Sequence, residues 1–156
     1  MTAEIRIRPA TSGDALDIAA LYRGAYESAA ALGFPSRMTE IDAETVGEWL
    51  ANDSTTLVAL DDERLIGTVR LLYERDEPYL ERLAVDPDRQ GSGVGRRLMD
   101  RIEAVAREKE YDCIQLTTFD DHPFLLEWYE QRGYERTKRH ERPERPYDFV
   151  SMEKPL

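Results

Sequence analysis

A chain of 156 residues that is 41% hydrophobic, with two Trp, eight Tyr and four Phe, carries enough apolar side chain for one core and one domain over residues 1–156, which excludes a disordered chain. Its formal net charge of −11 opposes nucleic acid as a main partner, because phosphates would be repelled, and no apolar run nears the ~20 residues of a membrane helix. The single cysteine, Cys113, lies in the apolar run Cys113-Ile114-Gln115-Leu116; it excludes an internal disulfide and a multi-cysteine zinc site, so a buried thiol, no metal and a cytoplasmic location are expected.

The elements follow in chain order. Glu4 to Arg8 alternates as a strand does, with Ile5 and Ile7 on one face. Thr11 with Asp14 resembles a capping box with Asp in place of Glu, and Ala15, Ile18, Ala19, Tyr22, Ala25 and Tyr26 recur at helical spacing. Gly33-Phe34-Pro35-Ser36 breaks this helix, and a second runs over Ala43 to Ala51. Thr55–Leu60 and Leu65–Tyr73 read as a hairpin turning at Asp61-Asp62-Glu63-Arg64, and Tyr79–Val85 as a strand stopped by Asp86-Pro87. A helix follows from Gly93 to Lys109 with Val94, Leu98, Ile102, Val105 and Ala106 as its buried stripe. Cys113–Phe119 is a strand, Phe124–Arg132 a helix ended by Gly133, and Tyr134–Arg139 and Phe149–Met152 two closing strands. The order βααβββαβαββ predicts an α/β fold, a mixed and mostly antiparallel sheet with helices on both faces.

The stretch from Leu83 to Leu98 joins a strand to a helix through a glycine-rich loop. Amides at a helix start lack intrahelical partners and sit at the positive end of the dipole, so the loop is an anion site. Glycine admits the close approach of a phosphate, and Arg89 and Arg96 add cations. No Lys completes a P-loop, and Arg96 stands where the dinucleotide fingerprint needs its third Gly.

The run Gln90-Gly91-Ser92-Gly93-Val94-Gly95, led in by Leu83-Ala84-Val85-Asp86-Pro87, resembles motif A of the GNAT superfamily of N-acetyltransferases. Glu127-Trp128-Tyr129-Glu130-Gln131-Arg132-Gly133-Tyr134 is similar to its motif B. The resemblance implies that Gln90 to Gly95, with Arg89 and Arg96, bind the pyrophosphate of acetyl-CoA, and that Leu83, Ala84 and Val85 pair with its pantetheine arm. It also implies transfer of the acetyl group to a primary amine, on a small molecule or a protein, in a ternary complex. A backbone N–H near Val85 would face the oxyanion, Tyr129 would be the general acid, and Glu81 is a candidate base. By strand alternation Glu81 shares a face with Tyr79, Leu83 and Val85. His122 stands where the family often has a cofactor-contacting Asn; it would cap a helix, touch coenzyme A or move a proton. The alternatives are a packing role for Tyr129, a non-catalytic acyl-CoA-binding module, or another nucleotide in the same loop. The acceptor is not readable; Gly24–Met38 and Arg142–Pro146 would flank it, and the family suggests a homodimer. The acidic, lysine-poor composition, in which only Lys109, Lys138 and Lys154 are lysines, reads as a general surface property more than as steering of a cationic substrate.

Overall fold

Runs rich in Leu, Ile, Val and Thr form strands because branched side chains pack well on a pleated surface, and such runs make the centre of a seven-stranded sheet. The structure is a computed structural model that describes residues 5–33, 37–74, 76–119, 125–141 and 148–156. The strands are β1 (Ile5–Pro9), β2 (Ser54–Asp61), β3 (Arg64–Leu72), β4 (Tyr79–Val85), β5 (Cys113–Phe119), β6 (Glu135–His140) and β7 (Phe149–Pro155). The helices are α1 (Ala15–Ala31), α2 (Ala43–Ala51), α3 (Val94–Glu108) and α4 (Leu125–Gln131), with 3-10 turns at Ser12–Asp14, Arg37–Glu40 and Pro87–Arg89. The sheet order is β1-β2-β3-β4-β5-β7-β6. Every pairing is antiparallel except β4–β5, which is parallel.

Each face carries its own core. On one, α1 and α2 bury Ile18, Ala19, Leu21, Tyr22 and Val46 against Val58, Leu65 and Ala84. On the other, α3 and α4 cover Leu57, Ile66, Val69, Leu71, Leu80, Ile114 and Leu116. The α3 stripe is Val94, Leu98, Met99, Ile102 and Ala106, none more than 1% exposed. Val105, expected in that stripe, is only half-buried, while Met99, not expected there, is fully buried. Burying each large apolar side chain contributes about 1.5–3 kcal/mol, against about 0–1 kcal/mol for a surface ion pair, so apolar packing sets where α3 lies. Gly67 on β3 admits this close approach: a Cβ there would stand 2.9 Å from both Leu98 Cδ1 and Val94 Cγ1.

One buried residue breaks the stripe. Glu103, 2% exposed, accepts from Lys154 Nζ (2.7 Å) on β7, Arg132 (3.1 Å) just past α4, and Tyr134 Oη (3.2 Å). This network ties α3 to the end of α4 and to the sheet. No helix among the described residues is long and apolar enough to cross a membrane.

At the N-terminal end, Thr11 N–H donates to Asp14 Oδ2 (2.8 Å), and Arg8 holds both carboxylate oxygens (2.8 and 3.0 Å). The Arg8 hydrogen bonds, against the opposing effect of burial, draw the Asp14 carboxyl down to about 2. A depressed native value stabilises the fold above the unfolded pKa of about 3.9, and that contribution disappears as pH falls through about 2. Asp14→Asn is therefore expected to lower the melting temperature at pH 7. The gap to the parent should narrow below pH 4 and close near pH 2; a gap independent of pH would remove the carboxylate from this role.

Candidate active site

Strands β4 and β5 register only at Tyr79↔Gln115 and Leu80↔Leu116. Past these two pairs β4 continues with β3 and β5 continues with β7, so the neighbours part and leave a wedge. A cleft of about 430 Å³ fills it, lined by β4 from Leu80 to Val85, by Thr117 and Thr118 of β5, by Tyr129 of α4 and by Tyr26 of α1.

The wedge begins at a bulge. Leu71 pairs with Leu80 and Arg70 with Arg82, so Glu81 is the extra residue of β4. This overturns the expectation that Glu81 shares a face with Leu83 and Val85. Leu80, Leu83 and Val85 pack on the α3–α4 core, while Glu81 is turned with Arg82 to the α1–α2 side. A bulge inserts a residue, and the period of two fails across it. Glu81 Oε1 accepts from Arg70 Nη1 at 2.7 Å, and Arg70 is otherwise buried, donating to Trp49 O at 3.0 Å.

Beyond the bulge alternation resumes. Asp86 N–H reaches across to Ile66 O on β3 (2.8 Å), so the amides of Val85 and Leu83 are directed to the open side, where β4 has no described strand partner. The Pro87–Arg89 turn is capped by Asp86, whose carboxylate accepts from Asp88 N–H (3.0 Å) and from Arg64 (3.0 Å). Gly91 (φ 84°) and Gly93 (φ 88°) then turn the chain into α3, with Gly93 as its N-cap. A Cβ at either would meet nothing within 4 Å, so open space lies beside both.

The other loop residues divide. Gln90 is exposed and lines the cleft. Ser92 Oγ is spent on Arg89 O, and the Val94 side chain is core, which leaves its amide alone for a ligand. A Cβ on Gly95 would stand in ordinary contact with Val85 Cγ2 (3.6 Å) and Trp128 (3.8 Å), so this glycine faces packed side chains and not the open space beside Gly91 and Gly93. Ala84 is buried on the α1 side. Arg89 is turned to Asp61 (2.6 Å), while Arg96 is exposed. His122, Phe34–Ser36 and Arg142–Pro146 lie outside the described residues.

Tyr129 reaches the cleft from α4 and is 6% exposed. It packs edge-on against Trp128 (5.1 Å) and Tyr134 (5.7 Å). Burial first, then the neighbouring Tyr26, push its hydroxyl well above the ordinary phenol value, so it is a proton donor at neutral pH. Across the cleft a set of residues that periodicity did not single out stands together. Arg82 lies over Trp49 (5.3 Å) and Tyr26 (5.9 Å), and Arg70 lies over Trp49 (5.3 Å). The signal was present in Glu81-Arg82, charges inside an otherwise strand-like run. Cys113 is buried; burial and the carboxylates of Glu77 and Glu153 push its thiol up and keep it protonated.

A family model described as the acetyltransferase (GNAT) family matches residues 17–134. The chain belongs to the GNAT acetyltransferase family. It is thus an acetyl-CoA-dependent N-acetyltransferase. Among curated proteins it is 30% identical over 141 residues to the S-(2-succino)cysteine N-acetyltransferase of Bacillus subtilis, covering 85% of each chain. It is 26% identical over 138 residues to the S-alkylcysteine N-acetyltransferase of the same organism, covering 82% of this chain and 77% of that one. A PaiA N-acetyltransferase of Thermoplasma acidophilum, solved in complex with coenzyme A, superposes with a TM-score of 0.84 at 20% identity, over 98% of this chain and 99% of that one, which establishes the fold.

The residues present suit the cofactor of this acetyltransferase. The unpaired edge at Leu83 and Val85 can take an extended amide arm as an added strand, and the open space at Gly91 and Gly93 faces helix-start amides that suit a pyrophosphate. Gly93→Val places a branched side chain in that space at a left-handed φ. Losing one charge-assisted hydrogen bond corresponds to a roughly 10–100-fold drop in acetyl-CoA affinity, measured by calorimetry on protein whose circular dichroism matches the parent. Unchanged affinity would place the pyrophosphate elsewhere.

Proposed function

We propose that this single domain, residues 1–156, transfers the acetyl group of acetyl-CoA directly to a primary α-amine, with Glu81 as base and Tyr129 as general acid. The observation that carries the reading is the wedge. It gathers into one cleft an open strand edge, Gln90 of the loop that leads into α3, a protonated phenol and a carboxylate. The two curated relatives support the acceptor class, since in an S-substituted cysteine the acetylated nitrogen is the α-amine.

Bound at the loop and edge, acetyl-CoA supplies an acetyl group on a thioester sulfur. Gln90 and the amides of Gly91 and of Gly93 to Arg96 would hold the pyrophosphate, Ser92 N–H being engaged by Arg89 O, and Leu83 to Val85 would hold the arm. An ammonium has no lone pair, so Glu81 takes its proton, directly or through one water. Val85 N–H, directed to the open side, donates to the carbonyl oxygen as negative charge grows there. Tyr129 Oη gives its proton to the departing sulfur, whose free thiol has a pKa of about 8.5. Cys113 takes no part, because its thiol is buried and held protonated. Acetyl-CoA binding without thiol release on any amine would instead mark a non-catalytic acyl-CoA-binding module.

Tyr129→Phe keeps the ring contacts and removes only the hydroxyl. General acid catalysis contributes about 10²–10⁴ in rate, and a thiolate leaves fairly well unaided, so the single-turnover rate should fall by roughly 10² with acetyl-CoA affinity near normal. A Phe variant as fast as the parent would make Tyr129 a packing residue. Glu81→Gln should lower turnover most at low pH, where the acceptor is protonated, leaving cofactor binding intact. A pH–rate profile that overlays the parent's would exclude Glu81 as the base.

A further inference from the structure

The chain carries a net charge of −11, yet the charged side chains lining the cleft among the described residues are Arg37, Glu81 and Arg82, with Arg70 directly behind them. Two guanidinium groups, those of Arg70 and Arg82, thus meet the Glu81 carboxylate, and Arg37 lines the same cleft. Arg70 has claim to Glu81: its Nη1 lies 2.7 Å from Oε1, it is 3% exposed, and its Nη2 is satisfied by Trp49 O. Arg82 is left over. Its Nε lies 3.7 Å from that same oxygen, beyond hydrogen-bond distance, and this buried nitrogen has no hydrogen-bond partner among the described residues. Arg82 lines the cleft with its side chain 27% exposed, so its guanidinium is within reach of a ligand there.

The planar guanidinium of Arg82 is already oriented. It stacks over Trp49 and Tyr26, which fixes its fork and reduces the entropy lost on binding. A forked donor of this kind matches a carboxylate. The bulge, moreover, puts Glu81 and Arg82 on the same side of β4, so an acid and a base stand side by side at the mouth of the wedge. A free α-amino acid has the complementary pair, its ammonium nitrogen and carboxylate oxygens roughly 3 Å apart by standard bond lengths. A peptide N-terminus has the same amine but an uncharged amide in place of the carboxylate.

We propose that Arg82 binds the α-carboxylate of the acceptor, so that the substrate class is free α-amino acids and not protein N-termini. This rests on the acetyl-transfer reading and narrows it. Arg82 is then a specificity residue that touches substrate. Glu81 meets the ammonium while Arg82 holds the carboxylate, and Arg37 adds long-range attraction at the rim.

The test compares S-methyl-L-cysteine with its carboxamide, following thiol release from acetyl-CoA. The carboxamide has the less basic amine, so more of it is unprotonated at pH 7, and protonation state alone would favour it. The expected result is the reverse: kcat/KM for the acid exceeds that for the amide by about 10–100-fold, the equivalent of a charge-assisted hydrogen bond. In Arg82→Gln that preference should collapse to within about threefold of unity, mainly through KM for the acid, and Arg82→Lys should restore part of it. Equal use of acid and amide by the parent would overturn the proposal while leaving acetyl transfer standing. If no amine is acetylated, the acetyl-transfer reading fails, and the carboxylate site is then read directly by calorimetry of S-methyl-L-cysteine on coenzyme A-saturated protein. Binding that Arg82→Gln abolishes supports the site, and no binding to the parent overturns it.

Discussion

The parallel contact between β4 and β5, two residue pairs long, is the constraint on which the rest of the molecule depends. Parallel neighbours require a crossover, here α3, and a crossover helix starts at the C-terminal end of the strand it leaves. Were β4 and β5 to stay paired, the α3 N-terminus would sit over a closed sheet. Because they part at Leu80, the free edge of β4, Gln90 ahead of α3 and the phenol carried by α4 share one opening. The bulge at Glu81 contributes at the same point, since an unpaired extra residue bends the strand and strengthens its local twist.

The two faces of the sheet supply different chemistry to that opening. The α3–α4 face brings backbone amides and a neutral, protonated Tyr129, which suits a phosphate and a leaving group. The α1–α2 face brings Arg70, Arg82 and Glu81 framed by Trp49 and Tyr26, which suits a charged acceptor. On the proposed reading, cofactor and acceptor would enter from opposite sides of a single sheet and meet in the gap between its strands.

Positioning of the phenol depends on an interaction remote from the cleft. Glu103, buried in α3, holds Lys154, Arg132 and Tyr134 together, and Tyr134 packs edge-on against Tyr129. A buried charge network of this kind adds little net stability, because desolvation offsets attraction, but breaking one partner leaves an uncompensated charge. Its effect is to admit one placement of the α4 end relative to α3 and β7.

Much of this was legible in the residues. The helical period placed α2, and apolar runs between turn signals placed β4 and β5, at their observed bounds, because flanking turn residues end each run. The turn from Gln90 into α3 was legible in its glycines, because left-handed turns before a helix demand glycine whatever surrounds them. The direction of Glu81 was not legible: a bulge is a mismatch between two strands, and neither strand records it alone. Nor was the burial of Glu103, whose partners lie 29, 31 and 51 residues away. The pairing of Arg70 with Glu81 and the stacking of Arg82 on Trp49 likewise join residues far apart in the chain. Local periodicity and backbone chemistry thus determined the elements and the cofactor loop. The acceptor side was decided only in three dimensions, because its charges acquire partners, and lack them, through contacts that the sheet and its helices bring together.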